Sequence, residues 1–180
     1  MTSVGNPSTR LVVLRGNSAS GKSTVATRVR EHCGRGIAIV GQDLMRRQVL
    51  WEKDAPDALN IGLIDTVARY ALDYGYHVII EGILKAVRYG EMLRALAADH
   101  LGSTHFFYWD VSFEETLRRH ATKPQAGEYG ETEMRPWFRP DDLLPFVRET
   151  IIPETTTLDE AISLVIATSG LAASAPALHP

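Results

Sequence analysis

The sequence predicts an α/β domain in which helices cover both faces of a parallel sheet. Short apolar runs alternate with longer segments of helical periodicity, and glycine or aspartate follows most of the runs. A chain of 180 residues forms one such domain with a well-packed core and is too short for two. Because ligands of these sheets bind beyond the carboxyl ends of the strands, the residues after each apolar run are the candidate site.

Composition narrows the possible functions. The net charge of −3 gives no global basic field for nucleic acid or an anionic membrane, so neither partner is expected. A single cysteine, Cys33, excludes an internal disulfide framework and a multi-cysteine zinc site. The uncharged stretch 161–178 is too polar for a membrane span. We expect a cytoplasmic protein that is a monomer or a homodimer.

Five apolar runs are the predicted strands, because strands buried on both faces are almost continuously apolar. They are residues 11–14, 37–40, 77–82, 104–109 and 150–152. Segments with helical spacing or a capping box lie between and after them. They are residues 22–33, 44–51, 58–74, 86–99, 112–120, 141–148 and 157–168.

The polar stretch 121–140 contains glycines and prolines and is predicted to be a small mobile lid. We expect one ordered domain over residues 10–170. The ends of the chain, residues 1–9 and 171–180, are predicted to be flexible tails.

One octapeptide, GNSASGKS at residues 16–23, matches the pattern G-x-x-x-x-G-K-[ST]. The backbone of such a loop curls around phosphate with its N–H groups inward, and the following helix N-terminus adds positive potential. Lys22 reaches the β- and γ-phosphates, and the Ser23 hydroxyl binds Mg²⁺. The alternative is a fortuitous glycine-rich turn. The predicted nucleotide contacts are Gly16, Asn17, Ser18, Ala19, Ser20, Gly21, Lys22, Ser23 and Thr24.

With this loop between a buried strand and a helix, the chain resembles the P-loop kinases of the nucleoside/shikimate-kinase group. Within that group it is similar to the branch of zeta toxins and chloramphenicol phosphotransferase. The resemblance implies a three-layer α/β/α P-loop NTPase fold with a five-stranded parallel sheet of order 2-3-1-4-5. It also implies ATP and Mg²⁺ as cofactors and phosphoryl transfer to a small acceptor. The resemblance covers nearly the whole ordered chain, but only the phosphate loop is highly specific.

Asp43 follows the second predicted strand, where a carboxylate faces the γ-phosphate across the loop. There it can accept the proton of an attacking hydroxyl as general base and contact the acceptor. The resembling kinases have an aspartate in the same place. The alternative role is an N-cap for the helix that begins at Leu44.

Glu81 ends the third predicted strand, beside the phosphate loop. Its carboxylate can hold Mg²⁺ or bind the acceptor, and in zeta toxins the similar glutamate contacts the acceptor. The alternative is a solvated strand end. Asp110 ends the fourth predicted strand, and we expect it to cap the helix at Ser112.

Arginines near the lid are candidates for stabilising the transferring phosphate, which needs cations as charge shifts. For any single arginine, a solvated surface position is the default. In decreasing order of expectation they are Arg119, Arg118, Arg135 and Arg139, with Lys123 between them. We expect Arg119 and Arg135 to be catalytic, and Arg118 and Arg119 to contact ATP.

A second basic group follows the carboxylates Asp43 and Glu81 and consists of Arg46, Arg47, Lys85 and Arg88. These side chains either line a pocket for an anionic or polyhydroxyl acceptor or are surface charge; Arg46 and Arg88 are the predicted acceptor contacts. Trp137 and Phe138 either cover a ring-bearing acceptor or attach the lid to the core. The turn 153–157 is where the resembling kinases hold adenine. The absence of an N-K-x-D signal favours ATP over GTP.

The leading interpretation is therefore a kinase that phosphorylates a hydroxyl of a small molecule. The acceptor stays open among an antibiotic, a nucleoside, a sugar and a sugar nucleotide. One alternative is a nucleotide-hydrolysing regulatory switch without a small-molecule acceptor. Another is a nucleotide-binding module without catalysis, which the intact Lys22, Ser23 and Asp43 disfavour.

Overall fold

A computed structural model describes residues 3–122, 124–127 and 129–171. One parallel sheet has the order β2-β3-β1-β4-β5, which confirms the fold class and the strand order that the resemblance implied. Its strands are β1 (Arg10–Gly16), β2 (Ile37–Gly41), β3 (His77–Gly82), β4 (Ser103–Asp110) and β5 (Thr150–Pro153).

Helices cover both faces of the sheet, with α1 against α6 on one face and α2 against α3 on the other. The α-helices are α1 (Lys22–Cys33), α2 (Leu59–Asp73), α3 (Ala86–Asp99), α4 (Phe113–His120), α5 (Glu131–Trp137) and α6 (Leu158–Ser169). A π-helical turn spans Leu44–Val49, and a 3₁₀ turn spans Pro124–Gly127. Within the described ranges, no helix has the length and apolar character to cross a membrane.

The apolar pattern of β1 explains the central position of this strand. Leu11 and Val13 join the core under α2 and α3, whereas Val12 and Leu14 join the core under α1 and α6. All four side chains are fully buried. Because successive side chains of a strand point to opposite faces, a continuous apolar run requires helices on both sides. The sequence prediction of a doubly covered sheet is thus confirmed.

The segment 141–148 was expected to be a helix, and this prediction is wrong. It forms turns, and Asp141 adopts a left-handed backbone conformation with φ of 51°. Pro145 removes a backbone donor in the middle of the segment. The Leu144 N–H donates to the Glu149 carboxylate at 2.8 Å, a bond that a helix would not make. Arg15 also donates to the Asp142 carbonyl at 2.9 Å, so a contact from a distant part of the chain helps to override local propensity.

The lead-in packs against the domain over the residues that the structure describes. Val4 is only 2% exposed and pairs with His100 as an isolated parallel bridge. The Gly5 N–H donates to the Asp73 carboxylate at 2.8 Å, and Thr9 is fully buried. These contacts place the segment against the ends of α2 and α3, and its flexibility stays a prediction. The predicted tail at the other end falls, except for Leu171, outside the described residues.

His100 lies at the contact between the lead-in and α3, and we expect it to make the free energy of unfolding depend on pH. His100 Nε2 lies 2.9 Å from Thr9 Oγ1, and its Nδ1 lies 2.9 Å from Thr104 Oγ1. Burial, with the Arg10 charge adding to it, lowers the pKa of His100 to about 4. An unfolded histidine has a pKa of about 6.5, so between these values only the unfolded chain binds this proton.

We therefore expect the free energy of unfolding to fall as the pH drops from about 6.5 to about 4. Above about pH 6.5 the contribution of His100 to this free energy is fully present. Urea unfolding of the wild type and of His100→Gln at several pH values measures it. The variant should lose less stability than the wild type on acidification. Parallel pH profiles for the two proteins would contradict the assignment to His100.

Candidate phosphate and acceptor site

The loop between β1 and α1 has the backbone geometry that phosphate binding requires. Gly16 and Gly21 adopt φ values of 137° and 108°, which side chains other than glycine rarely allow. A Cβ on Gly16 would lie 2.8 Å from the carbonyl oxygen of Trp109, so the loop start also needs glycine for space. Gly16 is therefore needed for its backbone conformation and for space, and Gly21 for its backbone conformation.

Lys22 lies inside this loop and is only 5% exposed. Its ammonium group donates to the Asn17 carbonyl at 2.7 Å and to the Ser20 hydroxyl at 2.8 Å. These bonds hold the positive charge against the backbone that curls around a phosphate. The arrangement fits the predicted contact of Lys22 with nucleotide phosphates.

Ser23 and Glu81 come together although they are far apart in sequence. The Ser23 hydroxyl donates to the Glu81 carboxylate at 2.7 Å. Gly41 leaves room for that carboxylate, since a Cβ there would lie 2.8 Å from Glu81 Oε1. One hydroxyl and one carboxylate are hard oxygen donors that fit Mg²⁺, which usually completes its shell with water and substrate phosphates. In the described ranges, no group of three or more histidine, cysteine or acidic residues offers another metal site.

Asp43 follows β2 and lines a cleft of about 430 Å³ together with Ser18 of the phosphate loop. It occupies the N-cap position of the π-helical turn, but its side chain makes no capping hydrogen bond. Instead its carboxylate accepts from Arg46 at 2.9 Å, and the Asp43 side chain is 72% exposed. The capping alternative is therefore not what the structure shows. Asp110 does not cap α4 either, because Ser112 takes that position.

The cleft collects basic side chains from separate parts of the fold. The π-helical turn places Arg46 and Arg47 in it, and π-helical turns are frequent at functional sites. The lining residues are Ser18, Gln42, Asp43, Arg46, Arg47, Lys53, Asp54, Ile83, Lys85, Arg88, Tyr129, Pro136, Trp137 and Arg139. The predicted acceptor group of Arg46, Arg47, Lys85 and Arg88 is thus brought together around one cavity.

A second cleft of about 320 Å³ lies between the phosphate loop and the turn after β5. Arg119 lines it and joins the two walls, donating to the Ser20 carbonyl and to the Glu154 carbonyl, each at 2.8 Å. Hydrogen bonds from Arg118 and Arg119 lower the pKa of Glu115 to about 2. The Arg118 side chain is 72% exposed and lies outside this cleft, and among the described residues its ion pair is with Glu115. The cleft lining consists of Ser20, Gly21, Thr24, Val25, Trp109, Arg119, Thr156, Thr157, Leu158 and Ala161.

The lid arginines lie in different parts of the fold. Arg135, expected to be catalytic, lies outside both clefts; it pairs with Glu131 and lies over the Phe113 ring at 4.3 Å. Arg139, expected last, lines the larger cleft. Asn17 fixes it there, because the amide of Asn17 donates to the Arg139 carbonyl and accepts from the Arg139 N–H, each at 2.8 Å. Helix α5 turns Arg135 toward Phe113, whereas Arg139 follows the helix. Lys123 lies outside the described residues.

The two lid aromatics have one role each. Phe138 packs edge-on against Phe113 with ring centroids 5.3 Å apart, so it attaches the lid to α4. Trp137 lines the larger cleft and contacts Tyr129 at 5.3 Å between centroids. Tyr129 in turn stacks on His120 at 4.4 Å. Phe138 therefore attaches the lid to the core, whereas the covering of an acceptor by Trp137 stays a prediction.

A buried arginine behind the loop was missed by sequence reasoning. Arg15 is fully buried and directly precedes Gly16. It donates to both carboxylate oxygens of Glu149 at 3.0 and 2.8 Å, to the Leu84 carbonyl at 3.0 Å and to Asp142 at 3.1 Å. This network joins the end of β1 to the loop before α3 and to the chain after the lid. An arginine at the end of a buried apolar strand was the available signal, but its partners are far away in sequence.

The fold and these two clefts define a P-loop nucleotide-binding domain, and the comparisons with known proteins are consistent with it. The chain belongs to the AAA domain family AAA_33, which matches residues 11–136. The matched range begins in β1 and ends in α5, so it includes the phosphate loop, Asp43 and Glu81. A search of curated proteins gives no significant match.

Solved structures of kinases share this fold at low sequence identity. The APS kinase of Mycobacterium tuberculosis, determined with AMPPNP and APS, is 24% identical; the match covers 89% of this chain and 97% of that chain, with a TM-score of 0.66. A gluconokinase from Sinorhizobium meliloti 1021 is 17% identical, with coverages of 96% and 94% and a TM-score of 0.62. A sugar kinase from Janibacter sp. HTCC2649 is 18% identical, with coverages of 96% and 99% and a TM-score of 0.65. The narrower resemblance to zeta toxins stays a prediction.

Proposed function

We propose that this protein is an ATP-dependent phosphotransferase that moves the γ-phosphate of ATP to a hydroxyl group of a small molecule. The observation that carries the proposal is that Asp43 and the phosphate-loop residue Ser18 line one cleft. A phosphate loop alone serves hydrolases and switches as well. A carboxylate in an adjoining cavity of about 430 Å³ adds a place for a second substrate and a base to activate it.

The residues divide the reaction between them. The loop amides and Lys22 hold the β- and γ-phosphates. Asp43 accepts the proton of the acceptor hydroxyl, whose oxygen forms a bond to the γ-phosphorus. The bond from that phosphorus to the β–γ bridging oxygen breaks, and ADP leaves. Arg139 is the lid arginine best placed to balance the charge that develops there, because it lines the cleft that contains Asp43.

The smaller cleft is the proposed site for the nucleoside. It adjoins Ser20 and Gly21 of the loop and the threonines Thr156 and Thr157 after β5, so the loop and the base site lie side by side. Arg119 is held there by backbone carbonyls from both walls and is available to stack on adenine. Arg118 and Arg135 lie outside this cleft, so the structure supports a nucleotide role for neither.

Mg²⁺ is the proposed metal, held by Ser23 and Glu81, and it would neutralise phosphate charge when bound. If Glu81 serves the metal, Glu81→Gln raises the Mg²⁺ concentration for half-maximal activity by about 10- to 100-fold. The KM for the acceptor then stays close to the wild-type value. Titration of initial rates with Mg²⁺ at saturating ATP measures this. A variant with normal Mg²⁺ dependence and a raised acceptor KM would instead assign Glu81 to the acceptor.

Acceptor-dependent formation of ADP tests the proposed function. Purified protein with ATP and Mg²⁺ is screened against hydroxylated small molecules, with Lys22→Ala as the inactive reference. The proposal predicts that at least one acceptor accelerates ADP formation in the wild type and not in the variant. ADP formation that no acceptor changes would contradict it and favour a hydrolytic switch.

A further inference from the structure

The larger cleft has an unbalanced charge. Its basic residues are Arg46, Arg47, Lys53, Lys85, Arg88 and Arg139, and its acidic residues are Asp43 and Asp54. Six basic against two acidic side chains leave a surplus of four positive charges around a cavity of about 430 Å³. The whole chain, in contrast, carries a net charge of −3. The positive charge is therefore concentrated at this cavity.

Both acidic side chains of the cleft are already engaged by cations. Asp54 lies 2.6 Å from the Arg88 guanidinium and 3.8 Å from the Lys85 ammonium. Asp43 accepts from Arg46 at 2.9 Å. Over the described ranges, the remaining three cations, Arg47, Lys53 and Arg139, form no ion pair. The surplus is thus not neutralised within the described fold.

The position of two of these cations is unfavourable for the fold itself. Lys85 is the N-cap residue of α3 and Arg88 lies in its first turn, which contains no acidic residue of its own; the Asp142 carboxylate accepts from the Ala86 N–H at 2.9 Å. The positive end of the helix dipole disfavours cations there. Burial lowers the pKa of Lys85, and the neighbouring charges of Arg88 and Arg139 lower it further, whereas Asp54 and Asp142 oppose them. An anion in the cleft would reduce the repulsion among Lys85, Arg88 and Arg139.

We infer that the acceptor is an anionic alcohol, namely a small molecule that carries a phosphate or sulfate ester besides the hydroxyl that is phosphorylated. This inference rests on the proposed function, because it names the substrate class of the same site. The hydroxyl lies at Asp43, and the ester oxyanion lies among Lys53, Lys85 and Arg88. With Arg139 assigned to the γ-phosphate, five basic and two acidic side chains remain, so a neutral sugar or nucleoside would still leave a surplus of three positive charges unbalanced. The cavity volume falls in the range of ordinary small-molecule sites.

Matched pairs of acceptors test the inference. A hexose is compared with its 6-phosphate and 6-sulfate, and a nucleoside with its 5′-monophosphate, using ATP labelled in the γ-phosphate. We expect kcat/KM to be at least about 10-fold higher for the charged member of a productive pair, a difference typical of a charge-assisted contact. Comparison of the 6-phosphate with the 6-sulfate shows which of the two esters the cleft prefers. Because exposed charges are screened by salt, the KM of the charged acceptor should also rise with NaCl concentration.

Two variants test where in the cleft the ester oxyanion binds. Arg88→Gln removes a cation that forms an ion pair with Asp54. Lys53→Gln removes a cation that has no ion pair in the described structure, so we expect this second variant to fold like the wild type. Each should raise the KM for the charged acceptor by about 10-fold while kcat and the KM for ATP change little. Arg94→Gln is the matched control, since Arg94 also lies on α3 and pairs with Glu91 on the surface.

The outcomes separate this inference from the proposed function. Equal phosphorylation of neutral acceptors, or cleft variants that behave like Arg94→Gln, would overturn the inference while the kinase assignment stands. If no acceptor is labelled, calorimetric binding of the hexose 6-phosphate and 6-sulfate and the nucleoside monophosphate is measured with ADP saturating the phosphate loop. Binding that Arg88→Gln and Lys53→Gln weaken would then support the anion site and reject the kinase assignment. Absence of both labelling and binding would reject both.

Discussion

Replacing Asp43 by asparagine should lower kcat for phosphoryl transfer by about 10²- to 10⁴-fold, the range typical of a general base. Asparagine has nearly the same shape but cannot accept the proton of the acceptor hydroxyl. The KM for ATP should stay within a few-fold of the wild type, since Asp43 contacts Arg46 rather than the phosphate loop. Steady-state kinetics with a productive acceptor measures both constants.

Asp54→Asn is the matched control, because it makes the same chemical change in the same cleft. Its carboxylate is engaged by Arg88, so we expect its effect in the acceptor KM rather than in kcat. Normal turnover by Asp43→Asn would remove Asp43 from the mechanism.

Replacing Arg15 by methionine should cost about 3–5 kcal/mol in the free energy of unfolding, the effect of breaking a buried ion pair from one side. Glu149, whose side chain is only 1% exposed, would then lose its cationic partner, and its remaining described partner is the Leu144 N–H. A loss of this size is a large part of the stability of a domain. Urea unfolding measures it.

The double variant Arg15→Met/Glu149→Leu distinguishes an uncompensated charge from simple loss of packing. Replacing both partners by apolar side chains is often neutral or stabilising, so the double variant should recover much of the loss. Arg28→Gln on the surface of α1 is the reference and should change stability by less than about 1 kcal/mol. A loss below about 1 kcal/mol for Arg15→Met would show that the buried network does not stabilise the fold.

Local patterns predicted most of the elements because their causes are local. The bounds of α1 follow from the phosphate loop before it and the glycine after it. The capping box at Thr157 is complete, with both reciprocal hydrogen bonds to Glu160. At Ser112 only half of the box forms, because Glu115 turns to Arg118 and Arg119 instead. The strand order came from the resemblance, since apolar runs carry no information about their neighbours.

The failures arose where distant residues decide the structure. The segment 141–148 is held in turns by its neighbour Glu149 and by Arg15, which lies 127 positions before Asp142 and outside any local window. The link between Arg139 and Asn17 joins residues 122 positions apart, so no local pattern reveals it. The position of Arg135 over Phe113 likewise depends on the packing of α5. The larger cleft combines cations from four separate segments, which only the fold brings together.

The fate of the γ-phosphate tests the central claim most directly. Wild-type protein is incubated with γ-labelled ATP, Mg²⁺ and the acceptor panel, and the label is followed in the products. The account predicts label in a stable phosphate ester of an acceptor, with little free phosphate, and almost none in Asp43→Asn. Label that appears only as inorganic phosphate, at a rate independent of every acceptor, would contradict it.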